Sequence, residues 1–438
     1  MASETASEAA PAKPRRRSRK RRGEAVAPIE YHLLMLITLG LVAFGLIMVY
    51  SASSGTAVLF GRDPVSVLLK QGIYAGLGIA LLAGFARFPY RRLRYAAVPV
   101  LGVVVLLLVL VLVPGIGAEI NNARRWILIG PISIQPSEFA KAAVLIFSAA
   151  VLSGRKRPPR SLKQLFNPVG AVALLICALV VVEPDLGTAI AIAVMVCGLL
   201  LVAGTPLRLF VSIAAMFALA AGAMIMFEPY RLQRMTTFLD PRADASGAGW
   251  QIVQATLGLG NGGLTGVGLG NGTVKSFTPE ASTDMIASVI GEELGLLGIV
   301  ATVAAFAAFA VLGYRIAIRC RDPFGRYLAA GATSLIAGQA FVNLGAVLSM
   351  LPLTGVPLPL ISVGGSSLVV MLALVGVMLN VANSESGAAA KARPRRKSTD
   401  AKPKQQQQPA AAKPRPDRRR RHGGARRTGT GGGKRAAG

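Results

Sequence analysis

Apolar runs close to membrane-spanning length recur along the chain, at about residues 32–51, 66–86, 95–114, 137–153, 169–182, 186–204, 208–227, 284–313, 327–349 and 361–382. Most are too long and too continuous for half-buried strands, and a helix of such length approaches the roughly 30 Å of a bilayer's hydrocarbon core. The fifth and sixth are short and tightly joined at Glu183-Pro184-Asp185. The pattern predicts an all-α polytopic membrane protein of about ten transmembrane helices. No internal repeat is apparent, which argues against the duplicated architecture common in secondary transporters.

The 438 residues are 53% hydrophobic, with a mean hydropathy of +0.54. The formal net charge of +28 looks out of place in such a chain until it is located. Residues 1–30 and 384–438 hold most of the excess, in segments rich in Ala, Pro, Gly and Ser. These tails lack the apolar surface to fold and are expected to be disordered and cytoplasmic, flanking a membrane domain over 31–383. They suit anionic lipid headgroups or division partners better than nucleic acid, because no aromatic residues interleave their charges. With both tails inside, the inner loops are 87–94, 154–168, 205–208 and 314–326, and these are basic, as the positive-inside rule requires. The outer segments are then 52–65, 115–136, 183–185, 228–283 and 350–360. The segment 228–283 is a long extracytoplasmic loop between spans 7 and 8, of a length that is usually functional or disordered. Its amphipathic middle, Trp250 to Leu259, suits the membrane surface.

Three dispersed cysteines and two histidines show no disulfide framework, zinc spacing or histidine-based acid–base chemistry. No Gly-Lys-Ser/Thr phosphate loop is present, so a nucleotide site is not expected. The polar residues instead collect at the outer ends of the spans. In Lys275 to Gly298, Glu280 and Asp284 precede an apolar run that holds Glu292 and Glu293. If the helix includes Asp284, then Ser288, Gly291, Glu292 and Gly295 share its face. Ionisable groups entering hydrocarbon are candidates for function, although an aspartate here also suits a helix N-cap. In Asn121 to Ala142, Arg124 and Arg125 precede a short apolar loop, and Glu138 and Lys141 sit at i, i+3, where they can pair. Glu183 to Thr188 resembles a capped helix start. In Leu351 to Ser367, three prolines and three glycines break a span, and irregular backbone at that depth has to line a cavity or be buried in protein.

The strings ARRWILIGPISIQPSEFAK, EPDLGTA, RLQRMTTFLDP, GGLTGVGLG, PEASTDMIASVIGEELGLLG and GVPLPLISVGGSS resemble, in order and spacing, the SEDS family (shape, elongation, division and sporulation), which includes FtsW, RodA and SpoVE. The match covers about residues 30–382 and is closer to the division-type FtsW branch. The resemblance implies a ten-span glycosyltransferase of the bacterial cytoplasmic membrane that polymerises lipid II into peptidoglycan strands at the outer face. It also implies a class B penicillin-binding protein as transpeptidase partner. The family's catalytic aspartate, in a string usually written PEAHTDFI, falls on Asp284. Arg124, Arg125, Gln135, Glu138 and Lys141 correspond to its outer polar cluster, and Asp185, Lys275, Glu280 and Ser366 complete the expected substrate-binding set. Ser282 departs from the usual His, Met285 and Ala287 from Phe, and Val363 from Tyr.

The implied reaction joins a sugar 4-hydroxyl to C1 of a chain that leaves from a lipid diphosphate. A hydroxyl is a poor nucleophile and needs a carboxylate base, the role expected of Asp284. Charge at the diphosphate needs preorganised cations, the role expected of Arg124, Arg125 and Lys141. No metal cage is visible, so a divalent cation, Mg or Mn, is expected to arrive with the diphosphate. A flippase or transporter would gather ionisable groups near midplane and at both gates, whereas here they gather at one side; a non-catalytic division scaffold would act through its tails.

Overall fold

The computed structural model describes residues 28–392 apart from 61–62, 121–122, 131, 228–235, 245–246, 248 and 279. Of the basic tails expected to be disordered, residues 1–27 and 393–438 lie outside the described residues, as does RLQRMTTFLDP up to Met235, whereas residues 384–392 are helical and continue the last described helix. Among the described residues, nine helices are long and apolar enough to cross a membrane. These include α1 (Ile29–Phe60), α2 (Pro64–Arg87), α3 (Leu93–Leu112) and α4 (Pro136–Gly154). The short α5 (Leu162–Leu165) continues through a bend into α6 (Ala171–Val182), and α7 (Leu186–Ala203) follows after the tight turn expected at residues 183–185. A further apolar helix, α8, spans Leu207–Phe227. The outer segment contributes α9 (Trp250–Gly262) and the single turn α10 (Val274–Phe277). The chain then forms α11 (Ile286–Arg319), α12 (Pro323–Val347) and α13 (Gly365–Ala392). The protein is a multi-pass membrane protein.

Burial orders the bundle. Most of α12 and of the span part of α13 is buried, whereas α2 and α3 turn most of their surface outward. The outward residues are large and apolar, among them Leu69, Ile73, Leu77, Val98, Val103 and Leu106, as a lipid-facing surface demands. Small residues set the closest approaches. A Cβ added at Gly376 of α13 would lie 2.5 Å from the Leu82 carbonyl of α2, and one at Gly78 would lie 2.5 Å from Leu372 Cδ1. Without water to drive helices together, such backbone proximity supplies the packing.

Two features depart from the expectation of plain helices and loops. The first is a three-stranded antiparallel sheet between α3 and α4, of β1 (Gly117–Ile120), β2 (Ala123–Ile129) and β3 (Ile132–Ile134). The isoleucine-rich string here favours a pleated strand, and Gly130 supplies the positive φ (60°) at the β2–β3 turn. The second is a break in α11. Gly295 has φ 68° and ψ −163°, so the helix does not run continuously past it. The freed groups are paired by the outer segment. Val267 and Gly268 N–H donate to the Glu292 and Glu293 carbonyls, and Leu296 and Leu297 N–H donate to the Gly263 and Leu264 carbonyls, at 2.9–3.2 Å. This pairing explains how glycine-rich backbone is tolerated beside apolar spans: these two donors and two carbonyls of the break find protein partners. The piece from 296 to 319 is about 36 Å long and spans alone, so the buried piece 286–294 is spare length inside the protein.

Candidate functional site

Asp284 does not belong to α11. The helix begins at Ile286, its N-cap is Met285, and no side chain caps it. Asp284 instead ends a turn in which Thr283 Oγ1 donates to Glu280 Oε2 at 2.6 Å and approaches Asp284 Oδ1 at 3.3 Å. This corrects both the shared helical face running from 284 and the N-cap role. The carboxylate is half-buried. Its backbone is held firmly, because Asn343 Nδ2, deep in α12, donates to the Asp284 carbonyl at 2.7 Å and to the Val356 carbonyl at 2.8 Å.

The irregular segment 350–364 is strapped to this turn. Ser362 Oγ donates to the Thr283 carbonyl at 2.6 Å, and Val363 N–H donates to the Ser282 carbonyl at 2.9 Å. Gly355 adopts φ 68°, and a Cβ there would stand 3.9 Å from Asp284 Oδ2. The prolines and glycines of this segment therefore bring an exposed glycine against the carboxylate. On its other side the segment meets α7, where a Cβ on Gly187 would lie 2.8 Å from the Thr354 carbonyl. The turn at 183–185 and the turn at 280–284 thus flank the same strap.

Around the first of those turns lies a polar cluster. Asp185 caps α7 by accepting from Thr188 N–H at 3.0 Å, and its other oxygen accepts from Gln135 Nε2 at 3.1 Å and Ser137 Oγ at 2.9 Å. Ser366 Oγ accepts from Gln135 N–H and donates to the Ser133 carbonyl, both at 3.2 Å, which fixes the start of α13 against β3. Glu138 and Lys141 pair at 2.7 Å, as their spacing allowed, and Lys141 Nζ also donates to Gln339 Oε1 at 3.2 Å. Gln339 in turn donates to the Pro357 carbonyl at 3.1 Å.

Several expected substrate contacts are otherwise occupied. Lys141 is 1% exposed and Lys275 4%, so neither presents an open charge to a diphosphate. Lys275 Nζ donates to Glu293 Oε1 at 2.9 Å, to Ser51 Oγ at 3.3 Å and to the Gly270 carbonyl at 2.6 Å, tying α1, α11 and the outer segment together. Glu292 accepts from Thr273 and Val274 N–H at 2.9 Å each and so anchors the start of α10. Both glutamates of the apolar run are thus clamps on the outer segment. Trp250 to Leu259, expected flat on the membrane, packs instead on α11: a Cβ at Gly262 would lie 1.9 Å from the Gly291 carbonyl.

The two arginines part company. The β1–β2 register slips between them: Glu119 pairs with Arg124 but Ala118 with Trp126, so Arg125 is the extra residue of a bulge, where regular alternation is lost. Arg124 pairs with Glu119 of β1 at 3.0 Å in an exposed position. Arg125 is half-buried, and its Nε is buried with no hydrogen-bond partner. It lies near enough to Glu183 to lower the pKa of that carboxyl. Glu183 is itself 0% exposed and neither of its oxygens has a hydrogen-bond partner. Burial, with the Asp185 charge beside it, pushes its pKa up to about 8 against the weaker pull of Arg125. Glu183, Gln339 and Asn343 are the residues that reasoning from sequence passed over. Polar residues four apart inside an apolar span, as at 339 and 343, were the available signal. Among the described residues no group of three or more His, Cys, Asp or Glu could hold a metal ion.

The chain has many relatives. A family model described as cell cycle protein, covering FtsW, RodA and SpoVE, matches residues 31–387. A protein of Geobacter metallireducens named probable peptidoglycan glycosyltransferase FtsW is 40% identical over 81% of this chain and 95% of its own. One of the same name from Mycobacterium tuberculosis is 41% identical over 84% and 70% respectively, and stage V sporulation protein E of Bacillus subtilis is 37% identical over 80% and 96%. A structure described as a peptidoglycan synthase complex that coordinates polymerization and crosslinking superposes with a TM-score of 0.68 at 30% identity, over 80% of this chain and 97% of the other. The rod shape determining protein RodA of Thermus thermophilus superposes at 0.60, also at 30% identity, over 80% and 96%.

Proposed function

The chain belongs to the cell cycle protein family of FtsW, RodA and SpoVE, and from that premise we propose that it is a peptidoglycan glycosyltransferase, polymerising lipid II at the outer face of the bacterial cytoplasmic membrane during division. Asp284 carries the reading. It is a half-buried carboxylate outside any helix, anchored through its backbone by Asn343 and faced by a glycine that leaves room for a sugar. An acceptor 4-hydroxyl placed in hydrogen-bond reach of Asp284 gives up its proton as its oxygen attacks C1 of the donor, and the lipid diphosphate leaves. A rigid backbone keeps the base oriented without relying on its own side-chain bonds.

Arg125 is the cation we assign to the diphosphate, with Arg124, its neighbour on β2, a second one once drawn from Glu119. The planar guanidinium matches phosphate oxygens in pairs. Glu138, Lys141, Asp185, Gln135 and Ser366 act one layer back: they fix where α4, α7 and α13 begin. The buried pair Glu138–Lys141 adds no net charge, so it supports the substrate's surroundings without competing for phosphate. A divalent cation carried by the diphosphate would need only one or two protein oxygens, and Glu280 would offer it a hard donor while Asp284 remains the base. A class B penicillin-binding protein crosslinks the product, and the basic tails reach division partners from the cytoplasm.

The test uses purified protein, lipid II, a divalent ion and the partner with its transpeptidase site blocked. Asp284→Asn abolishes glycan chains while leaving insertion and partner binding intact, and Arg125→Ala raises KM more than it harms folding. Near-wild-type synthesis by Asp284→Asn rejects the assignment. Translocation of lipid II without chains points to a flippase, and neither activity to a scaffold.

A further inference from the structure

Glu183 and Arg125 are a carboxyl and a guanidinium near enough for the Arg125 charge to act on Glu183, with no hydrogen bond or ion pair between them. Glu183 is fully buried, yet both its oxygens lack hydrogen-bond partners, and the buried Nε of Arg125 lacks one too. Each such orphan is costly, more so when it is charged, and one retained in a folded protein calls for a reason. The cost would fall at once if the two closed into an ion pair. What they leave without a partner is the buried Nε of a half-buried arginine.

We propose that Glu183 is a positioning residue for Arg125: as the neutral acid it leaves the guanidinium turned outward to take a phosphate oxygen of the lipid diphosphate, and as the carboxylate it captures Arg125 and withdraws it from the substrate. The inference rests on Arg125 serving the diphosphate. The surroundings favour the neutral acid at physiological pH. Asp185, on the same turn, adds a like charge, and its oxygens are committed to Thr188, Gln135 and Ser137. From α4, Glu138 and Lys141 neutralise one another at 2.7 Å. From β2, Arg125 is the one opposing charge on Glu183, and Arg124 is engaged by Glu119. The strap at 350–364 and the α12 face at Gln339 and Asn343 contribute no charged side chain. Deprotonation therefore creates a carboxylate whose best available partner is Arg125. Its capture is the mirror image of substrate binding: one guanidinium serves either the carboxylate or the phosphate.

The population argument fixes the size of the effect. If only protein with neutral Glu183 offers Arg125, affinity scales with that fraction. Because the carboxyl titrates near pH 8, affinity for the diphosphate should fall about tenfold between pH 7 and pH 9. Full-length protein in nanodiscs is titrated with a short-chain prenyl diphosphate across this range. Wild type shows the tenfold fall. Glu183→Gln, which cannot ionise, holds its affinity within about twofold over the same range, and Arg125→Ala binds weakly at every pH. Infrared difference spectra supply a readout that does not depend on how the variants fold. Wild type has a protonated-carboxyl C=O band that Glu183→Gln lacks, that fades as pH rises, and that strengthens when the diphosphate is added at pH 8.5. A Glu183→Gln titration that falls in parallel with wild type, a wild-type affinity flat in pH, or no diphosphate binding by wild type overturns the proposal. Polymerisation of lipid II at pH 7 is scored separately, so a glycan-forming enzyme whose diphosphate affinity ignores Glu183 refutes this inference alone.

Discussion

Lys275 separates two accounts of the outer segment. As a substrate contact it would present its charge to a diphosphate; in the structure it is 4% exposed and joins Glu293, Ser51 and the Gly270 carbonyl. Lys275→Ala removes all three bonds at once. Glu293, 0% exposed, keeps only the Ser51 hydroxyl, at 2.7 Å. Removing one partner of a buried pair costs about 3–5 kcal/mol, because the remaining charge is left in a medium that cannot solvate it. That energy is lost locally, where Gly270 and α10 are held to α1 and α11. Amide hydrogen exchange over 263–278 should therefore quicken by roughly a hundred- to a few-thousand-fold in nanodiscs, with a lowered thermal midpoint. Lys275→Met with Glu293→Leu removes both charges and keeps the volume, and an apolar pair commonly replaces a buried ion pair at little cost. The double variant should recover most of the protection and the glycan synthesis. Near-wild-type exchange in Lys275→Ala together with a raised KM, or a stable double variant without activity, would refute the clamp and restore Lys275 to the substrate.

Three other outcomes follow from the same contacts. Gly295→Ala should cost at least about 2 kcal/mol, because its φ of 68° is strained for alanine and the new Cβ would lie 2.5 Å from Gly266 N and the Leu264 carbonyl, whereas Gly72→Ala, in open space on α2, should stay within about 0.5 kcal/mol in the same thermal assay. Asn343→Leu strips the donor from the Asp284 and Val356 carbonyls and should lower kcat at least about tenfold with little change in KM, read from glycan synthesis alongside circular dichroism. Glu183 binds its proton more tightly in the folded chain than in the unfolded one, so its contribution to stability is lost as pH rises from about 4.5 to about 8 and is level above that; the wild-type thermal midpoint minus that of Glu183→Gln should fall across that window.

The sequence by itself determined the spans, because hydrocarbon thickness acts on each run separately and leaves its length written in consecutive residues. The spacing of Glu138 and Lys141 foretold their pairing, since both lie on one helix. Prolines and glycines at 351–367 announced a broken segment. Where that segment goes was not legible: its strap to residues 282–283 joins positions some 80 apart along the chain, and no local pattern records such a pairing.

The tertiary structure alone decided which polar residues are open. Lys275 read from sequence as a substrate contact and Glu292 and Glu293 as ionisable groups in an apolar run, and each turned out to be neutralised or hydrogen-bonded by a residue from another element. Arg124 and Arg125, neighbours in sequence, were separated by a β-bulge that leaves Arg125 unpaired in the ladder and that the apolar string around them did not announce. Glu183 shows the converse, since its acidity depends on what surrounds it and not on its own type. Burial and pairing are properties of the assembled bundle, and chemistry at this face of the protein follows from them.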